Sequence, residues 1–161
     1  MISYGDIVYS KSLLEKVLST GGDIVIAIDN LWREYWESRY ENPLEDLETL
    51  KINSDGYIVD IGNKPNSYDD IDGQYIGLVK LSKYGVGQFK NCFNRGVAGE
   101  LINGKRIKNA YMTDILQELV RLGANVTPAY HDGEWIEVDT IDDLKSIETK
   151  KRILEIKKGL K

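Results

Sequence analysis

The stretch that decides the fold is Asp23-Ile24-Val25-Ile26-Ala27-Ile28-Asp29. Its unbroken apolar run is the pattern of a central strand covered on both faces. Working outward, residues 10–19 place Leu13, Leu14, Val17 and Leu18 on one helical face, and Thr20-Gly21-Gly22 ends that helix. Before it, residues 2–9 read as a short buried strand interrupted at Gly5-Asp6. Strand, helix and strand with short connections form a βαβ signature, which predicts a parallel sheet.

Downstream, residues 31–42 are dense in aromatic and charged side chains and predict an insertion or helical excursion. Residues 49–52 and 57–61 flank Asn53-Ser54-Asp55-Gly56, a strong hairpin signal. Residues 74–81 read as another apolar strand. Residues 89–103 read as a helix weakened by Gly96 and Gly99. Residues 110–122 read as a helix with Ile115, Leu116, Leu119 and Val120 inward, stopped by Gly123. Residues 125–130 and 135–138 predict a second hairpin across Asp132-Gly133. Thr140 is placed to cap a last helix, with Asp142 and Asp143 in its first turn, where the helix dipole favours them. The expected class is α/β with added β-hairpins, in one domain over residues 1–161.

Composition narrows the function. The chain of 161 residues has a net charge of −5, one cysteine (Cys92) and one histidine (His131). Zinc sites built from several Cys and His are excluded, as is an intramolecular disulfide. Cys92 reads as a small buried apolar residue and His131, beside a turn, as a surface residue. Residues 145–161 carry seven basic against two acidic side chains, so residues 1–144 carry −10. An acidic body argues against nucleic acid as a partner and suits divalent cations or a cationic substrate. The basic tail fits a last helix whose cations complement its C-terminal dipole. No apolar run approaches the ~18–20 residues of a membrane span, and no signal-peptide pattern opens the sequence, so no membrane association and a cytoplasmic location are expected.

Two aspartates stand out. Asp6 ends Ile2-Ser3-Tyr4-Gly5-Asp6 at a strand's carboxyl edge, and Asp139 lies between a strand and a helix start. Ligands of open α/β sheets bind at the carboxyl ends of strands. Two carboxylates converging there can hold one Mg²⁺, an oxygen-seeking ion that bridges phosphate oxygens in phosphoryl transfer. Spacing alone leaves the plainer readings open: a turn at Gly5-Asp6, and helix stabilisation at Asp139.

Ser3-Tyr4-Gly5-Asp6 resembles the strand-end Gly-Asp or Ala-Asp of the nucleotidyltransferases that make sugar nucleotides and related CDP or UDP conjugates. Residues 133–144, Gly-Glu-Trp-Ile-Glu-Val-Asp-Thr-Ile-Asp-Asp-Leu, are similar to that family's Trp-x-Glu-Ile-Asp-Thr-x-x-Asp-Leu ending. Residues 75–82, residues 109–116, and Asp29-Asn30-Leu31-Trp32 followed by Arg39 and Pro43 resemble the branch containing phosphocholine and phosphonate cytidylyltransferases. The resemblance implies that Asp6 and Asp139 bind the catalytic Mg²⁺. It also implies a Rossmann-like, mostly parallel sheet forming the C-terminal part of a nucleotidyltransferase domain. The family's opening Gly-x-Gly-Thr/Ser-Arg segment and its Pro-Lys are absent from these residues, and the chain is expected to lack a nucleotide cradle and to be inactive alone.

In that branch the region around Tyr111 and Asp114 lies near the acceptor phosphate ester. Trp32, Tyr35, Trp36 and Tyr111 are then expected to face a quaternary ammonium or primary amine headgroup, with Asp29 and Asp114 pairing the same cation. Helical spacing of Trp32, Tyr35 and Trp36 equally describes a packing face. Lys80 is a candidate for a phosphate oxygen. The expected reaction joins an NTP, CTP by preference, to a phosphate or phosphonate monoester such as phosphocholine, an aminoalkyl phosphonate or a sugar phosphate, releasing pyrophosphate. The other function class is a non-catalytic assembly module, forming a homodimer or joining a separate N-terminal half through an open sheet edge.

Overall fold

The computed structural model describes residues 1–158; residues 159–161, the end of the basic tail, lie outside the described residues. The central strand is β3 (Ile24–Asp29), and all six of its residues are buried. Its side chains alternate between two cores, as strand geometry requires. Val25 and Ala27 join one core with Leu13, Val17, Trp32, Tyr35 and Trp36. Ile24, Ile26 and Ile28 join the other with Cys92, Ile115, Leu116 and Leu119. Helices α1 (Lys11–Ser19) and α2 (Trp32–Arg39) therefore cover one face, and α3 (Lys83–Val97) and α4 (Met112–Arg121) the other. The α/β class is as expected, and Cys92 is buried as read.

The remaining strands are β1 (Ile2–Ser3), β2 (Ile7–Tyr9), β4 (Leu50–Ile52), β5 (Ile58–Ile61), β6 (Gln74–Leu81), β7 (Val126–His131) and β8 (Trp135–Glu137). The main sheet runs β1-β6-β3-β7-β5-β4. Only β3·β7 is parallel; the other four ladders are antiparallel. The mostly parallel, Rossmann-like expectation is thus corrected to a mixed sheet. The reason lies in β3. One of its edges is taken by β6 and the other by β7, which leaves none for the N-terminal segment, so the βαβ unit does not form. That segment splits at Gly5-Asp6 instead. β1 pairs with β6, and β2 pairs with β8 in a separate two-stranded ribbon.

The hairpin at residues 53–56 is present as β4·β5. The Asn53 side chain accepts the backbone N–H groups of Asp55 and Tyr57, and Gly56 takes a positive φ of 84°. The second expected hairpin does not form. Both edges of β7 are occupied by β3 and β5, and β8 crosses to β2. Residues 31–42 are the helical excursion α2. Helix α3 starts earlier than expected, because Ser82 caps it by accepting Gly85 N–H. Leu18 is exposed rather than on the buried face of α1.

The C-terminal motif ends in helices α5 (Ile141–Lys145) and α6 (Ile147–Lys158). Thr140 and Asp143 form a reciprocal capping box on α5, as the sequence predicts for Thr140. No described helix is long and apolar enough to cross a membrane.

Candidate metal centre and adjoining cleft

The β2·β8 ribbon decides where the two aspartates meet. Ile7 pairs with Glu137. One step beyond, Val138 donates its backbone N–H to the Asp6 carbonyl at 3.0 Å. Asp6 and Asp139 therefore flank one end of the ribbon. Carboxylate oxygens of Asp6, Glu137 and Asp139 all lie within 4.8 Å of one another, a grouping able to hold a metal ion. Asp6 and Asp139 are exposed to solvent or nearly so, and Glu137 is half-buried. Three hard oxygen donors with open access suit Mg²⁺, which keeps waters and shares phosphate oxygens. Burial raises the Glu137 pKa above the ordinary carboxylate range; the Arg39 hydrogen bond opposes this, and the negative charges of Asp139 and Asp6 add to it. A cation there would relieve that repulsion.

Arg39, at the end of α2, underpins the group. Its side chain is 2% exposed, and its guanidinium reaches Glu137 Oε2 at 2.8 Å, Asp139 Oδ2 at 2.7 Å and Asp143 Oδ1 at 3.0 Å. Burial works against its charge, but the hydrogen bonds to Glu137 and Asp143 outweigh it and raise its pKa. Burial likewise pushes Asp143 up and is outweighed by Arg39 and Thr140, leaving that carboxyl below its usual range.

Beside Glu137 opens a cleft of about 210 Å³. Its aromatic walls are Tyr4, Trp36, Tyr75 and Tyr111, and Asp46 and Glu48 join Glu137 as its acids. Trp36 donates its indole N–H to Asp46 at 2.9 Å, which fixes the ring. Thr113 donates to Glu48 at 3.2 Å. Burial raises the Glu48 pKa, with Thr113 opposing and Asp114 adding. Tyr4 and Tyr75 pack edge to face at 5.8 Å. Burial and the charge of Glu48 push Tyr4 up to about 12. The Tyr75 hydroxyl is buried without a hydrogen-bond partner among the described residues.

Of the acceptor-side residues expected from sequence, Trp36 and Tyr111 line this cleft, Tyr111 being 70% exposed. The others lie elsewhere. Asp29 is fully buried. One of its oxygens accepts Leu31 and Gly133 N–H, the other accepts Trp135 Nε1–H, and Arg152 lies 3.6 Å away. Its hydrogen bonds serve the fold, and it does not line the cleft. Asp114 is fully buried as well, accepting from Asn103, Lys105 and the Tyr111 N–H as the cap of α4. Trp32 and Tyr35 are core residues; Trp32 packs on Tyr68 and Tyr35 on Trp135. Lys80 ties down the end of α1 through the carbonyls of Thr20 and Leu18 and does not line the cleft. His131 is buried rather than on the surface, its Nδ1 2.6 Å from the Gly133 carbonyl, and burial lowers its pKa.

The sequence reading missed Asp46, Glu48, Tyr4 and Tyr75 in the cleft and Glu137 in the cluster. Glu137 carried a signal, since it is an acid two residues before Asp139, at the end of the strand that leads to it.

No family model matches the chain. It is 38% identical over 148 residues to the CTP:phosphoglutamine cytidylyltransferase of Campylobacter jejuni, a match covering 90% of this chain and 57% of that protein. The chain thus spans little more than half of the curated relative it matches. The inositol-1-phosphate CTP transferase from T. maritima shares its fold with a TM-score of 0.63 at 18% identity, over 98% of this chain and 55% of that one.

Proposed function

We propose that this chain corresponds to part of a nucleotidyltransferase-family domain and carries the metal-binding and acceptor side of a cytidylyltransferase site, a reading supported by its similarity to a CTP:phosphoglutamine cytidylyltransferase. The reaction is attack by an oxygen of a phosphate or phosphonate monoester on the α-phosphorus of CTP. The bond to the β,γ-diphosphate breaks, pyrophosphate leaves, and a CDP conjugate forms. Asp6 and Asp139, with Glu137, would hold the Mg²⁺, which when bound supplies charge compensation at the phosphate oxygens. The cleft of Trp36, Tyr75, Tyr111 and Glu48 receives the body of the acceptor. Holding the acceptor oxygen in line with the α-phosphorus is the main task of these side chains, because positioning removes an entropic barrier. The chemistry needs no protein nucleophile.

The observation that supports this reading most is the convergence of three carboxylates from two distant chain segments, one of which, Glu137, also lines that cleft. Calorimetric titration of Mg²⁺ into the wild type, Asp6→Asn and Asp139→Asn tests it. Binding to the wild type with strong loss in both variants is expected; wild-type affinity in both would refute the assignment.

A further inference from the structure

Arg39 stands in an unusual relation to the carboxylate cluster. Each of its three nitrogens takes a different acid: Nη1 meets Glu137, Nη2 meets Asp139 and Nε meets Asp143. The contacts are one-sided. Arg39 uses Oε2 of Glu137 and Oδ2 of Asp139, and the second oxygen of each accepts no hydrogen bond among the described residues. The guanidinium itself is held on all sides. The rings of Tyr35 and Tyr40 each lie 5.2 Å from it. Asp143 is fixed in turn, because its other oxygen accepts the N–H groups of Asp139 and Thr140 and the Thr140 hydroxyl. Helix α2 also grips the ribbon one turn earlier, where Glu137 N–H donates to the Tyr35 hydroxyl at 3.0 Å.

We propose that Arg39 is a positioning residue for the cation: it clamps one oxygen of Glu137 and one of Asp139 so that their free oxygens turn toward Asp6. The inference rests on the metal reading above and adds to it a residue that never touches the ion. A planar fork with three separately directed donors is required, and a lysine, a single point charge, cannot reproduce it. Partners that orient metal ligands typically change affinity by about 10–100-fold when altered.

The test is Mn²⁺ binding to the full chain, followed by calorimetry and by the electron paramagnetic resonance of free Mn²⁺. The proteins are wild type, Arg39→Lys, Asp143→Asn and Asp6→Asn, with circular dichroism and urea midpoints recorded on each. Arg39→Lys keeps the positive charge, so an affinity loss of about 10-fold or more in a folded protein reports geometry. Asp143→Asn keeps the shape, but its one remaining oxygen can serve either the Nε anchor or the Asp139 and Thr140 donors, while the Glu137 and Asp139 contacts of Arg39 remain; a smaller loss in the same direction is expected, and it serves as the deciding variant if Arg39→Lys does not fold. Wild-type affinity in the folded Arg39 or Asp143 variant, with binding lost in Asp6→Asn, would overturn the role of Arg39 and leave the metal centre standing. Tighter binding in Arg39→Lys would also overturn it, showing that the guanidinium competes with the ion. No Mn²⁺ binding by the wild type would overturn both readings together.

Discussion

The backbone N–H of Val138 donates to the carbonyl of Asp6 at 3.0 Å, extending the β2·β8 ladder by one step and setting Asp6 and Asp139 side by side. Because it uses main-chain atoms only, side-chain changes at Asp6 should leave the ribbon intact while altering the charge at its end.

Asp6→Asn should therefore fold as well as the wild type, or slightly better, in metal-free buffer, since one of three crowded negative charges is gone. The difference should appear on adding Mg²⁺. At about 100 times its dissociation constant, a ligand that binds only the native state stabilises it by about 2.7 kcal/mol. The wild type should gain that amount in urea unfolding and the variant should not. Equal gains would remove Asp6 from the site.

Asp29 tests the opposite case, an acid that serves the fold. Replacing it by alanine strands the N–H groups of Leu31, Gly133 and Trp135 and takes from Arg152 one of its two acids, Glu148 being the other. A loss of about 3–5 kcal/mol is expected from breaking such a buried ionic network. Mg²⁺ affinity in whatever remains folded should be unchanged. A loss under ~1 kcal/mol would show that Asp29 is not the structural hub its contacts indicate.

Asp114 gives a pH dependence with a definite sign. Burial pushes its pKa up, but the hydrogen bonds from Lys105, the Tyr111 N–H and Asn103 outweigh burial and hold it below the usual value. Its folded pKa thus lies under its unfolded one, near ~3.9. The contribution is complete above the unfolded pKa and is lost as the pH falls through the folded one. The stability gap between wild type and Asp114→Asn should be full at pH 6 and should close on acidification below about pH 4. Urea midpoints measured across that range would reveal a pH-independent gap if the carboxylate's charge were irrelevant.

Tyr75→Phe removes a buried hydroxyl that makes no well-formed hydrogen bond among the described residues. Deleting an unsatisfied polar group is neutral or stabilising, by up to about 1 kcal/mol. If the cleft receives the acceptor, the same change should weaken binding of a phosphate monoester, followed by calorimetry. A destabilised Tyr75→Phe protein would mean that the hydroxyl is satisfied in the folded chain.

Gly77 is needed where it stands. It has a positive φ of 83°, and a Cβ there would sit 2.5 Å from Tyr4 Cγ. Gly77→Ala should cost about 1–3 kcal/mol and push Tyr4 from the cleft wall. The thermal midpoint and a shifted Tyr4 ring resonance in NMR would both report it; an unshifted ring would show that the backbone absorbs the change elsewhere.

These cases also mark what could be read from sequence. The five apolar residues of β3, the Asn53–Gly56 turn and the Thr140 cap are local signals, and each appears as read. The antiparallel partners of β3 are not local, since nothing within residues 24–29 says which strands claim its two edges. Asp6 and Asp139 could be paired through the motifs that carry the family resemblance. The burial of Asp29 and Asp114 was not legible, because it depends on donors brought in by the fold, such as Trp135 and Lys105. Arg39 was invisible as a clamp for the same reason: its three acids lie about a hundred residues further along the chain.

The ribbon of β2 and β8 shares no ladder with the six-stranded sheet. Its amides can consequently open to solvent while β3 stays closed, and hydrogen exchange at Ile7–Tyr9 should run ahead of exchange at Ile24–Asp29. An ion seated at the ribbon's end would act as a latch, slowing exchange in those three residues and leaving the centre of the protein untouched.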